Sequence, residues 1–254
     1  MDPEDVDRQW DSIASGVDEM MQRIGDPNGF PVSPGSALSG DNKHSAPYQV
    51  EHAVQMCLVA GVDHLHTAKS YLLDFHRLPA ASLFSLIRGA LENFAAAYWI
   101  LHPNVRSERI ERTLRWHAKN FKDQKTALEP LGYSDETTLG IRLAKLDLIA
   151  TARGLSAHDV HRGYTSTGAV EWVERYSPRC RPLLAWRLCS GYAHGRPWAY
   201  LSTSEQEQFE TTDPEVVKLK LTSDPSRVLF PAQQAYLLMM DLVELLQSRS
   251  RSFM

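Results

Sequence analysis

The chain has 254 residues, 43% hydrophobic and 23% charged, the make-up of a globular protein with a sizeable core rather than a disordered one. Its 27 basic and 31 acidic residues leave a net charge of −4, so bulk charge gives no nucleic-acid footprint and any such binding needs a local patch. No apolar run reaches the ~18 residues of a membrane span, so no membrane partner is expected.

The N-terminus, MDPEDVDRQW, lacks a basic-then-apolar leader pattern. Cys57, Cys180 and Cys189 have neither zinc-ligand nor redox spacing, which predicts reduced thiols and a cytoplasmic location. Val6, Trp10, Ile13, Val17, Met20 and Ile24 recur at steps of four and three, predicting an amphipathic helix over residues 1–24. Residues 25–47 carry four prolines and scattered glycines, and read as a linker or long loop. The first helix then packs on the core or docks against a second subunit. Residues 48–254 are expected to form the helical domain.

Within it, Tyr48–Phe75 keeps Val50, Val54, Cys57, Leu58, Val62, Leu65 and Leu72 near one face. A second helix follows Pro79 and stops before His102-Pro103, and a third spans Val105–Leu128. Ser134, with Glu136 in the first turn, predicts the cap of a fourth helix ending near Ala152. A brief helix around Val170–Tyr176 leads to one that opens at Pro182. Val216–Thr222 alternates like a strand and reads as a loop edge or small ribbon. The last helix is expected from Pro231 to about Ser248. The sum is an all-α protein of six or seven helices.

The stretch LLAWRLCSGYAHGRPWAY (Leu183–Tyr200) carries the chemistry. Two helical turns take about 7.2 residues, so Arg187, Ser190 and His194 share a face while Leu184, Leu188 and Cys189 turn toward the core. Arginine grips a phosphate by a forked pair of hydrogen bonds, and histidine titrates near neutral pH. Gly191 permits close approach, and Gly195 suits a helix end.

With six residues between Arg187 and His194, this stretch resembles the R-x(4–6)-H motif of HEPN-domain proteins. The resemblance implies a HEPN-like up-and-down helical bundle with an extra N-terminal amphipathic helix and a long Pro/Gly-rich loop. It also implies a homodimer, RNA as substrate, and a toxin or phage-defence setting with an antitoxin or defence partner. His194 would then be the general base for a ribose 2′-OH, Arg187 would stabilise the phosphate, and Ser190 would assist. The family often has a polar residue after the arginine, where this chain has Leu188. VDHLHTAKSYL, SLIRGALENFAAAYWIL and SGYAHGRPWA are also similar to uncharacterised bacterial helical proteins, a likeness spanning about residues 48–245.

Arg88 and Glu92 stand four apart, and Glu92 is a candidate to hold Arg187 or His194; an ordinary ion pair explains them equally well. Arg112, Arg115, Lys119 and Lys122 line the third helix opposite its apolar seam. With Arg88, they are the candidate nucleic-acid contacts, and a solvated face paired with Glu108 and Glu111 is the alternative. His64 and His66 lie two apart on a helix, and His158, Asp159 and His161 make no full ligand set, so no metal or other cofactor is expected. No phosphate-binding loop, GxSxG elbow or kinase motif occurs. Two other readings stay open. One is a non-catalytic helical interaction or sensor module. The other is a helix-turn-helix regulator over residues 146–165, with Ala150, Gly154 and Val160 at the characteristic offsets.

Overall fold

A computed structural model describes residues 2–133 and 135–252, of which most are helical, so the chain is all-α as expected. Eleven helices rather than six or seven appear among the described residues. They are α1 (Pro3–Gly25), α2 (Ala37–Ser45), α3 (Val50–Lys69), α4 (Ser82–Leu101), α5 (Arg106–Leu128) and α6 (Glu136–Ala152). Then follow α7 (Ala157–His161), α8 (Ser166–Tyr176), α9 (Pro182–Ala193), α10 (Pro197–Thr203) and α11 (Pro225–Ser250). Between α10 and α11, β1 (Glu205–Phe209) pairs antiparallel with β2 (Lys218–Thr222), with Glu207 opposite Lys220. The alternating stretch thus has a partner, although β1 itself is wholly polar apart from Phe209. No described helix is long and apolar enough to cross a membrane.

The chain divides into two compact units, one of residues 1–29, 59–94 and 173–241, the other of 30–58, 95–172 and 242–254. In the first, α1 buries Val6, Trp10, Ile13, Val17 and Met20, the stripe read from its spacing. The Trp10 indole N–H donates to the Pro225 carbonyl at 3.2 Å, tying α1 to the start of α11. Asp18 receives Lys69 Nζ at 2.8 Å and His66 Nε2 at 3.3 Å. Lys69 also reaches Asp74 at 3.2 Å across a π-type turn, Ser70–Asp74. Phe84 on α4 stacks on Tyr192 of α9 at 3.8 Å between ring centroids, which fixes the helix carrying the Arg187–His194 stretch.

In the second unit, α2 corrects the reading of residues 25–47 as linker. Ser36 caps it by accepting from Ser39 N–H, and Leu38 and Asp41 are fully buried. Asp41 accepts from Arg109 Nε at 2.6 Å and Nη2 at 2.9 Å, and from Arg106 Nε at 3.2 Å. The expected cap at Ser134 lies outside the described residues; Asp135 accepts from Thr138 N–H and starts α6.

The helix-turn-helix reading fails on length. Ala150 and Val160 are buried as that pattern requires, but α7 has five residues and cannot lie along a groove. Its His161 faces Asp147 of α6 at 2.7 Å. The basic stripe of α5 is likewise corrected. Arg112 is 5% exposed, donates to the Trp99 carbonyl, pairs with Glu108 and stacks 3.8 Å over Trp172. Arg115 donates to the Gly163 carbonyl at 2.8 Å, Lys122 to that of His161, and Lys119 pairs with Asp123. Arg115 and Lys122 thus hold the α7–α8 segment by its carbonyls, while the guanidinium groups of Arg112 and Arg115 lie over the Trp99 ring.

His117 of α5 is packed against Tyr48 at 4.8 Å and Trp116 at 5.0 Å, with its Nε2 buried and without a partner among the described residues. Burial first, and His52 second, push its pKa down to about 4. The unfolded chain therefore holds more protons than the folded one from about pH 6.5 down to 4. Stability is full above that window and falls by about 3 kcal/mol across it. His117→Phe keeps the ring contacts without the proton; its urea midpoint is expected to drop less than the wild type's between pH 7.5 and 5. Equal drops would show that His117 does not set the acid limit.

Candidate functional site

The site is built on α9 and α4, within the first unit. Pro182 opens α9, where its missing N–H has no role, and the helix closes in a Schellman turn. Gly195 N–H donates to the Tyr192 carbonyl at 3.1 Å and Arg196 N–H to that of Gly191 at 2.8 Å. This turn needs the left-handed φ of +61° at Gly195, which only glycine adopts without strain. His194 is the last residue before it, so its side chain projects from the helix end into solvent and is exposed.

A groove of about 520 Å³ runs along this face, lined by Leu184, Trp186, Arg187, Ser190, Gly191, His194, Arg196 and Trp198. The three residues placed on one stripe by spacing are therefore brought together. Arg187 is exposed, with no hydrogen bond or acidic partner among the described residues. Ser190 is half-buried in the groove, and its carbonyl accepts the His194 N–H. Leu188 and Cys189 turn inward, but Leu184 is 65% exposed and forms groove wall rather than core.

Glu92 reaches neither Arg187 nor His194. Its Oε1 accepts from Arg88 Nε and from the Trp186 indole N–H, each at 2.9 Å. Arg88 in turn points Nη1 at His194 Nε2, 3.2 Å away. A guanidinium can only donate, so in this contact Nε2 is the acceptor. Glu92 thus positions Arg88, and Arg88 meets the histidine. Arg88 therefore belongs to this site.

Sequence spacing missed Trp186, Arg196 and Trp198. The run GRPWAY, an arginine and an exposed aromatic directly after the helix end, was the available signal. Trp198 is 52% exposed and lies against Gly191, where an added Cβ would stand 2.8 Å from its ring. Arg196 is exposed and, like Arg187, has no acidic partner among the described residues. The charge of Arg88 is balanced by Glu92, so the surplus positive charge of the groove is that of Arg187 and Arg196. Burial holds the Cys189 thiol well above its ordinary range, beneath this face and out of the chemistry. The groove offers two cations for an anion, an imidazole and an aromatic plane. Compared with protein-family models, curated proteins and solved structures, the chain finds no match.

Proposed function

We propose that the chain is a metal-independent endoribonuclease of HEPN-like type, with His194 as general base and Arg187 on the phosphate. The observation that carries this reading is the joint exposure of Arg187, Ser190 and His194 in one groove, with Arg88 at His194 Nε2. In the reaction, His194 Nε2 takes the proton of a ribose 2′-OH. O2′ then bonds to the adjacent phosphorus, the P–O5′ bond breaks, and O5′ takes a proton from solvent. Arg187 neutralises the charge that gathers on the phosphate oxygens, and the Ser190 hydroxyl donates to one of them.

Arg88 must release Nε2 before the base can act. Its guanidinium has further donors for a phosphate, so an arriving substrate draws it off the imidazole. The HEPN resemblance extends the proposal to a homodimer with two such grooves, acting in the cytoplasm as a toxin or defence nuclease held in check by a partner protein. A non-catalytic sensor remains the second reading, favoured by the same Arg88–His194 contact, which occupies the base in the free protein.

The test is incubation of the full chain with single-stranded RNA in excess EDTA. Cleavage products ending in a 2′,3′-cyclic phosphate and a 5′-hydroxyl are expected from the wild type. Arg187→Ala is expected to cleave about 10²–10³-fold more slowly. Intact RNA with the wild type, or equal cleavage by the variant, overturns the nuclease reading.

A further inference from the structure

We propose that Trp198 is a stacking platform for an unpaired base, so that the groove takes single-stranded nucleic acid and rejects a duplex. This deepens the nuclease reading and rests on it for the position of the reacting phosphate. The first observation is the indole itself. Large aromatics in a folded chain normally bury most of their surface, yet Trp198 is 52% exposed beside two arginines without acidic partners. The second is how it is held. Gly191 has no Cβ, and one placed there would come within 2.6 Å of Ala199 Cβ and 2.8 Å of Trp198 Cζ2. The indole therefore rests on the α9 backbone, fixed from beneath and open to the groove. The third is the set of groups that share the groove with the indole, Arg187, His194 and Arg196.

A nucleic-acid strand carries phosphate and base side by side, and this groove offers cations and an aromatic plane together. Every base has a π-face, so such a platform is tolerant of sequence. In a duplex those faces are covered by neighbouring pairs, and only an unpaired base can be splayed onto a side chain. An acidic peptide would satisfy the arginines but would leave the open indole face without a planar partner.

The experiment uses a fluorescently labelled single-stranded DNA oligonucleotide of mixed sequence, titrated with the full chain in EDTA. DNA lacks the 2′-OH, so binding is read without cleavage, and failure here is separable from failure of the nuclease reading. The wild type is expected to bind the single strand at least about tenfold more tightly than the same sequence as duplex. Trp198→Ala is expected to lose about tenfold or more on the single strand, with Trp198→Phe recovering most of it. Arg187→Ala is expected to weaken binding and flatten its salt dependence. Equal binding of strand and duplex, an unaltered affinity in Trp198→Ala, or no binding of the strand where a labelled poly-glutamate peptide binds overturns the proposal. RNA cleavage that ignores Trp198 would sink this inference alone.

Discussion

His194→Ala is expected to remove RNA cleavage, by about 10²–10⁴-fold, while leaving the fold intact. The two halves of that result come from different atoms. The α9 terminus is held by main-chain hydrogen bonds from Gly195 and Arg196, and the left-handed residue is Gly195, so the imidazole contributes nothing to closing the helix. His194 is exposed, and its side-chain contact is a single hydrogen bond from a guanidinium that Glu92 holds anyway. An unfolding free energy within about 0.5 kcal/mol of the wild type, read by urea titration, follows. Chemistry, by contrast, has no other imidazole in the groove to turn to.

His194→Gln sharpens the test. Its amide oxygen can still accept from Arg88, but it cannot take a proton at neutral pH. If His194 serves as base, the glutamine variant fails as badly as alanine in single-turnover cleavage. If it cleaves like the wild type, the histidine merely parks Arg88, and the nuclease mechanism written above is wrong. Arg88→Ala gives a further arm, since it frees Nε2 while removing a cation from the phosphate site. Its substrate affinity is expected to fall, whereas loss of a pure obstruction would raise the rate.

The helices that periodicity revealed are those whose stripe is continuous and whose ends carry local signals. α1 shows steps of four and three, α5 runs from Arg106 to Leu128 between proline-containing breaks, and α9 starts at Pro182 and ends at Ala193, just before the left-handed Gly195. Periodicity reads α11 short because Pro231 looks like a start, whereas six residues precede it inside the helix. What stayed hidden depends on partners far along the chain. Arg112 looked like a surface cation because Trp172, on which it stacks, is 60 residues away. Within the site, the Arg187–Ser190–His194 stripe was legible because it is local to one helix. The Arg88–His194 contact spans 106 positions, and no local rule anticipates it. Trp186 was hidden in the same way, since its indole is oriented by Glu92 on another helix.

The second large effect tests the segment that composition misjudged. Asp41→Ala is expected to destabilise the chain by about 3–5 kcal/mol, a large part of the ~5–15 kcal/mol total of an ordinary domain. Asp41 has no exposed surface and Arg109 has 2%, and the two meet through both Arg109 Nε and Nη2. Arg109 Nη1 is already committed to the carbonyls of Pro103 and Asn104, so no rotation of the guanidinium replaces the lost carboxylate. Removing the acid strands a buried cation, and that uncompensated charge is the source of the cost. Asp41→Asn preserves the shape and one acceptor while leaving the cation unneutralised, so it should lose most of the same stability. Changing both partners to apolar residues, Asp41→Leu with Arg109→Met, removes the stranded charge and is expected to recover part of the loss. The pair of measurements, urea unfolding of single and double variants, separates a charge effect from simple disruption of α2. A substitution in a solvated linker costs within about 0.5 kcal/mol. A loss that small in Asp41→Ala would mean that residues 37–45 do not hold the packed position described, whereas several kcal/mol marks α2 as part of the core of its unit.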